Sequence, residues 1–564
     1  VSLMGFSADI KIASAASRLA LIAGLILRVL FPLADPPADL SWSGGYFADE
    51  GFWVHDARNI ALFGTPGIDD WHNRLVSPTS HFLSTIMFSI FSPGMLPVRL
   101  TAQLMSLVSI LCLWLALRKE PWGILAVGLF TASSILSAYQ RIAILENQVI
   151  PIVIVLLLFN ANPDRRRSTV RGFSVGFLSA IAYFTKGTQL FLIPAVLVTS
   201  ALQSRDIREA IRRVAAHVLG MLVPVAVFVI FIYRPHYDLI RQYQTFYASQ
   251  HGETIFDFIG NLTTQPFMFY FNRIALAFSL AWLALGEAVL SAPRFRIEFR
   301  RIPPLIQFCL IWTAFGLLSF APLRYRPFRY YVPILIPIVC IAAWRFYAYL
   351  IDRDALAAMK VNGKGVLLAV WMSLPLMASA APVVDHLLFR DRLIGIYSLP
   401  GYSLLNSLWL AVISVLLVLS ILGRISPKRM IPLLTSTLVI GYILDLGQTT
   451  RWHLDRKYSI LESAQDIARR LPPGSVVGGQ WAPELCLESN LIAVPIWKGF
   501  VNWDRPFERF GITHMLSWVY PLGNELEHQR DWFPDEMNNA VEVKRYTIKE
   551  TSVVLWEITR DSSQ

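Results

Sequence analysis

Gly44-Gly45-Tyr46-Phe47-Ala48-Asp49-Glu50-Gly51-Phe52-Trp53 sets two adjacent carboxylates just beyond the first long apolar run of the chain, Leu19 to Phe31. If that run crosses a bilayer, Asp49 and Glu50 emerge at its far end, in a loop reaching to about Ser80. Charge in hydrocarbon is costly, so a carboxylate pair at a membrane face either meets water or serves a site. The rest of the chain decides whether the run does cross.

The 564 residues are 55% hydrophobic and only 16% charged, with 35 Phe and 17 Trp; the mean hydropathy is +0.49. A soluble protein carries roughly a quarter charged residues. Apolar runs of about 20 residues recur along the chain, each long enough to span hydrocarbon. The fold class expected is therefore a polytopic α-helical membrane protein. Its net charge of +11 does not point to nucleic acid, because Lys and Arg recur in short clusters between alternate apolar runs, the positive-inside pattern. Cys112, Cys309 and Cys340 fall in apolar runs and only Cys486 in a polar one, so no disulfide framework is implied. Lys11 and Arg18 precede the first run, which reads as a retained span and not a cleaved signal.

Working outward, the first span covers about Ile12 to Leu33. In the loop 34–80 that follows, Trp53, Ala57, Ile60 and Ala61 have the spacing of a helix lying in the interface, ended by Gly64-Thr65-Pro66-Gly67. Ser80 to Phe91 reads as a second interfacial or re-entrant helix. Further spans are expected at Val98–Leu117, Trp122–Ala138, Ile144–Phe159, Gly172–Phe184, Gln189–Leu202 and Val214–Tyr233. Six more follow at Phe267–Leu290, Pro304–Ala321, Tyr331–Ile351, Val366–Val384, Ser403–Leu422 and Ile431 to about Leu446. Basic clusters follow the even-numbered spans and mostly not the odd ones. That pattern supports about thirteen spans with the N-terminus inside and the C-terminus outside. Arg324, Arg326 and Arg329, between the ninth and tenth spans, lie outside against the rule.

From Gly447 the character changes. Ala464 to Leu471 reads as an amphipathic helix, and Val476-Val477, Ile492 to Val494, Val541 to Val543 and Val553 to Leu555 read as strands. Residues 1–446 are thus expected to form the membrane domain and 447–564 a small α/β domain outside it, roughly 110 residues, within single-domain size. Most of its tryptophans (Trp481, Trp497, Trp503, Trp518, Trp532) are expected to pack in a core, although some could stack sugars.

Four features far apart in sequence fall on one side of the membrane: Asp49-Glu50, Arg141 with Glu146, Thr185-Lys186-Gly187, and Arg324-Tyr325-Arg326-Pro327-Phe328-Arg329-Tyr330. Alone, each has an ordinary reading, since loop acids are solvated and a Lys at a helix end snorkels. Together they set acids opposite bases, which suits an anionic substrate.

The order of these features resembles the GT-C glycosyltransferases, in the branch that includes the protein O-mannosyltransferases and the aminoarabinose transferase that modifies lipid A. Phe47-Ala48-Asp49-Glu50-Gly51-Phe52-Trp53, with Ala57 and Gly64, is similar to that branch's first-loop motif. Arg141-Ile142-Ala143-Ile144-Leu145-Glu146 resembles its second acidic motif, where Asp is more usual than Glu. The likeness covers roughly residues 10–350; beyond them only the layout matches. It implies an integral-membrane enzyme that moves a sugar from a polyprenyl phosphate to an acceptor outside the membrane, whether lipid, glycan or protein.

Under that resemblance Asp49 is expected as the general base and Glu50 stands beside it as a catalytic candidate, although adjacent helical residues diverge and both need not line one pocket; Glu146 is expected to orient the acceptor or help hold a divalent ion. Lys186, Arg324, Arg326 and Arg329, with Tyr330, are expected at the donor phosphate, where Arg can grip bidentately; Arg141 and His55 are supporting candidates. Oxygen ligands would suit Mg²⁺ or Mn²⁺, and His55, His72 and His81 could serve Zn²⁺, but no tight ligand spacing commits the chain to a metal. The alternative is a transporter or flippase of a lipid-linked saccharide, which expects ionisable groups in mid-span and broken helices in an internal repeat. A bacterial plasma membrane is the expected location. The sequon Asn261-Leu262-Thr263 in an outside loop leaves the endoplasmic reticulum as the other choice.

Overall fold

The computed structural model describes residues 8–37, 48–161, 168–248, 274–290, 301–320, 323, 327–351, 363–384, 401–520, 523–548 and 551–559. Helices in chain order are α1 (Ala8–Val29), α2 (Asp49–Phe63), α3 (Pro78–Ile90), α4 (Met95–Leu117), α5 (Gly123–Ala132), α6 (Leu145–Ala161), α7 (Ser168–Thr185), α8 (Leu192–Gln203) and α9 (Ile207–Phe228). They continue as α10 (Tyr237–Ala248), α11 (Ala275–Leu290), α12 (Pro304–Phe320), α13 (Leu335–Ile351), α14 (Gly363–Val384), α15 (Gly401–Ile421), α16 (Pro427–Leu454) and α17 (Ser459–Arg470). A helix stands at each of the thirteen expected spans. Among the described residues, five helical stretches are long and apolar enough to cross a membrane, and seven shorter apolar ones accompany them. Leu19, Ile22 and Ile26 of α1, and Leu219, Leu222 and Phe231 of the α9 region, are exposed, as expected of surfaces solvated by lipid tails.

Several boundaries differ from the sequence reading for identifiable reasons. The third span breaks at Ser133, whose ψ is 118°, and a short helix, Ser134–Tyr139, follows. The open carbonyls at that break are taken by Arg28, which donates to Phe130 O at 2.7 Å and Thr131 O at 3.2 Å. α9 begins seven residues early because Asp206 caps it, accepting the Glu209 N–H at 2.8 Å, so Arg208, Arg212 and Arg213 lie on the helix. α16 continues to Leu454, past the expected end near Leu446. Residues 267–273 of the eighth expected span, and the sequon at 261–263, lie outside the described residues.

α2 is present where the sequence places it and ends at Gly64, whose φ of 73° lets its N–H close on Ile60 O at 3.0 Å. It does not lie with one face open, however. Glu50, Gly51, Phe52 and Val54 through Asn59 are all buried, because α2 is wedged between the bundle and the C-terminal domain. α3 does show an unpartnered apolar stripe, Phe82, Ile86 and Ile90 at intervals of four, all exposed.

The C-terminal domain follows α17 with six strands: β1 (Val476–Gly478), β2 (Ile492–Val494), β3 (His514–Tyr520), β4 (Gly523–Asn524), β5 (Val541–Ile548) and β6 (Thr551–Glu557). The sheet is mixed, ordered β2-β1-β3-β6-β5, with β4 beside β3. β1 runs parallel to β2 and β3, and β6 antiparallel to β3 and β5. One hydrophobic core continues from the bundle into this domain, including Ile460, Leu485, Leu516 and Val553.

Helix ends fasten the two parts together. α2, α4 and α17 have no side-chain cap from their own N-cap residues, and each N-terminus is capped from across the junction. Glu484 accepts the Gly51 N–H of α2. Glu488 accepts the Met95 N–H of α4 at 3.1 Å. In the other direction, Asp35 accepts the N–H groups of Ser459 at 2.7 Å and Ile460 at 3.2 Å, opening α17. Buried Arg58 of α2 adds bonds to the carbonyls of Cys486, Ser489 and Leu491. These bonds satisfy donors and acceptors that helix termini and turns otherwise leave open.

Candidate active site

The site assembles at the first turn of α2. Asp49 opens the helix, where a carboxylate is favoured by the helix dipole, and pairs with Arg329. Arg329 lies in a 3₁₀ turn, Phe328–Ile334, that leads into α13. Its Nε lies 3.8 Å from Glu146 in the first turn of α6. Glu146 in turn pairs with Lys186 at 2.8 Å. Lys186 is placed by the end of α7 at Thr185 and a second 3₁₀ turn, Gly187–Phe191. Two acids and two bases from four distant segments thus form one chain, Asp49–Arg329–Glu146–Lys186. Tyr330 forms its floor, its ring centroid 4.8 Å from Lys186 Nζ and 5.9 Å from Arg329 Cζ.

The environment shapes these charges. Burial raises the Asp49 carboxyl above the ordinary aspartate value, with Arg329 pulling it down and Glu146 pushing it up. Burial lowers the Lys186 ammonium, opposed by Glu146. Both directions follow from the cost of burying charge. α10 stands beside the cluster: burial, then the Asp49 charge, raises the Tyr247 phenol. Gly187, next to Lys186, is exposed, and a Cβ built on it would meet no neighbour, so the turn that carries Lys186 reaches the surface.

The other expected residues sit elsewhere. Glu50 turns away from Asp49: its Oε2 takes Arg99 at 2.7 and 2.9 Å, and its Oε1 takes the Ala143 N–H at 2.9 Å. Arg141 points away from Glu146 and closes the end of α1, donating to Leu27 O at 3.1 Å and Arg28 O at 3.2 Å with its guanidinium 4.6 Å from the Trp452 ring. His55 is buried against Asp69 at 2.7 Å, and His72 binds Asp56 at 2.9 Å; both pairs fold the loop after α2 onto the helix. Among the described residues no group of three or more His, Cys, Asp or Glu side chains could hold a metal. Arg324 and Arg326 lie outside the described residues. All four cysteines are free. Of the tryptophans, Trp481 is buried while Trp497 and Trp503 are 41% and 42% exposed.

Two features escaped the sequence reading. Glu484, buried at the α2 terminus, stands in Trp481-Ala482-Pro483-Glu484-Leu485, which carries no motif. Glu287 and Arg345 form a pair within α11 and α13, and the sequence reading singled out neither. Apolar neighbours mask both members of that pair.

The architecture defines a polytopic helical membrane protein with a small mixed-sheet domain. More particularly, the chain superposes on the crystal structure of ArnT from Cupriavidus metallidurans bound to undecaprenyl phosphate, with a TM-score of 0.52 and 18% identity, covering 96% of this chain and 97% of that one. The apo form gives a TM-score of 0.51 and 17% identity over the same shares. Residues 76–233 match the family described as dolichyl-phosphate-mannose-protein mannosyltransferase. The chain is also 25% identical over 361 residues to the undecaprenyl phosphate-alpha-4-amino-4-deoxy-L-arabinose arabinosyl transferase of Pseudomonas paraeruginosa, a match covering 59% of this chain and 62% of that relative's length. The resemblance read from the motifs is therefore to the right fold.

Proposed function

We propose that this chain is a membrane glycosyltransferase that moves a sugar from a polyprenyl-phosphate donor to an acceptor outside the membrane. The observation that carries this reading is the Asp49–Arg329–Glu146–Lys186 chain, in which two cations wait in a buried site already paired with acids. A donor phosphate offers the cations a better partner than carboxylate, since Arg and Lys both bind phosphate strongly. Arg329 and Lys186 would then move part of their pairing to the phosphate, releasing Asp49. The relatives named for an undecaprenyl phosphate donor support that lipid as the carrier.

The chemistry then follows from the residues. The acceptor hydroxyl gives its proton to Asp49 as its oxygen attacks the anomeric carbon. The bond from that carbon to the phosphate oxygen breaks, and its electron pair leaves on the phosphate. Attack in line opposite the leaving group inverts the anomeric centre. The leaving phosphate gains negative charge, which Arg329 and Lys186 neutralise, so no general acid is needed. Glu146 holds both cations and keeps their positions. The site and the C-terminal domain share one end of the bundle, the outer face of a bacterial plasma membrane in this reading.

Mass spectrometry of lipid copurified with the Asp49→Asn protein, beside a radiolabelled-sugar transfer assay, tests the reading. Polyprenyl phosphate bound to a folded but inactive variant is the expected result. Full transfer by Asp49→Asn overturns the base assignment, and purification without any polyprenyl phosphate overturns the donor class.

A further inference from the structure

The carboxylate of Asp49 projects from a helical turn that its own sequence leaves unfinished. Ala48 occupies the N-cap position, and its side chain has no oxygen with which to accept a hydrogen bond. The donor two residues after Asp49, the Gly51 N–H, is satisfied by Glu484 Oε2, 433 positions away. Contact there is close. A Cβ on Gly51 would lie 2.4 Å from the Pro483 carbonyl and 2.5 Å from the Glu484 nitrogen, so only glycine admits the domain this near. Glu484 is fully buried, 0% exposed, and stands in one acidic group with Asp49 and Glu50, with Arg99 as the cation. A solvated surface acid would need none of this.

We infer that Glu484 is a positioning residue, through which the C-terminal domain sets the direction of the Asp49 carboxylate. This rests on the proposal that Asp49 is the base. Simple docking of the domain is a different explanation, and Glu488 separates the two. Glu488 also fastens the domain to the bundle by a helix terminus, at Met95, but α4 contributes none of the four charged groups. Loss of Glu488 loosens docking, whereas loss of Glu484 also frees the turn that carries Asp49.

The test uses the full chain in lipid nanodiscs with undecaprenyl phosphate 4-amino-4-deoxy-L-arabinose as the probe donor and lipid A as the probe acceptor, following release of undecaprenyl phosphate. Glu484→Leu is expected to lower kcat at least about tenfold, the scale of a misplaced reacting group, with KM for the probe changed less than about threefold. Glu484→Gln keeps an oxygen for the Gly51 N–H and restores kcat to within about threefold, and Glu488→Leu leaves it within about twofold. Hydrogen exchange of the peptide spanning 48–53 is expected to quicken in Glu484→Leu and not in Glu488→Leu, a readout independent of any donor. Should the leucine variant not fold, Glu484→Asp withdraws the carboxylate by one methylene and is expected to show the same fall in kcat. Wild-type kcat and exchange in Glu484→Leu or Glu484→Asp overturn the inference, as do equal losses in Glu488→Leu. Asp49→Asn, run alongside, keeps the cases apart. Its full activity sinks the base assignment, while an inactive Asp49→Asn beside a fully active Glu484→Leu sinks only the positioning role.

Discussion

Asp49 and Glu50 are neighbours with opposite situations, and the contrast predicts opposite phenotypes. Asp49 ends a charge chain with its side chain 16% exposed, so Asp49→Asn is expected to leave the thermal midpoint near wild type and lower transfer by about 10² to 10⁴, the range for a general base. Glu50 is locked to Arg99, and removing Arg99 strands a buried carboxylate. Arg99→Leu is therefore expected to destabilise by about 3–5 kcal/mol, read by denaturant or thermal unfolding. The pH dependence follows from the burial that raises Asp49 above 3.8. A base acts deprotonated, so kcat/KM holds at high pH and falls as pH drops through that raised value. The acid limb is expected above about pH 4, and a limb centred below it contradicts the assignment. Sequence alone led to Asp49, Glu146, Lys186 and Arg329 because a charge at a span end with no basic-inside role is conspicuous. It could not separate them from Glu50, Arg141 and His55. Those three are equally polar and equally near the membrane edge, and differ only in having a helix end, a backbone or another side chain to satisfy.

Among the elements, α2 is held by more polar contacts than its composition foretells, and the tightest is where Gly51 meets Pro483. Gly51→Ala is expected to push the C-terminal domain off the helix, with faster proteolysis between α16 and α17, while the bundle stays intact; an unchanged cleavage pattern would refute the contact. Glu484 adds a pH dependence. Burial and then Glu50 raise its carboxyl well above 4.5, and the groups facing it are Glu50 and Asp49 of α2 and Arg99 of α4. Its folded pKa is above the unfolded one, so its share of stability is complete below about pH 4.5 and is lost as pH rises through the folded value. The wild-type midpoint is expected to fall as pH rises from the ordinary glutamate value toward that raised one, and Glu484→Gln to flatten that part of the curve. The spans were legible as elements because twenty apolar residues have few other uses. The break at Ser133 was not, since the side chain that stabilises it, Arg28, arrives from α1. β3 also went unread: His514 through Ser517 are buried in the middle of the sheet, and such a strand loses the alternation that marks one with an open face.

For the whole molecule, the division at the end of α16 is a boundary of topology and not of stability. A chain stopped after Leu454 would leave the Gly51 and Met95 N–H groups without partners and Arg58 without its carbonyls. Such a truncation is expected to insert in the membrane yet transfer no sugar, even with the separate domain added back, because that domain lacks the Asp35 oxygens that begin α17. Restored transfer on mixing the two pieces would show that they assemble unaided. The reciprocal fastening also has a consequence in time. The ribosome makes α2 first and Glu484 only 433 residues later, a delay of roughly 20 to 90 s at ordinary synthesis rates. Throughout it the first turn of α2 lacks the carboxylate that completes it, so the geometry around Asp49 is reached only when the last part of the chain has been made.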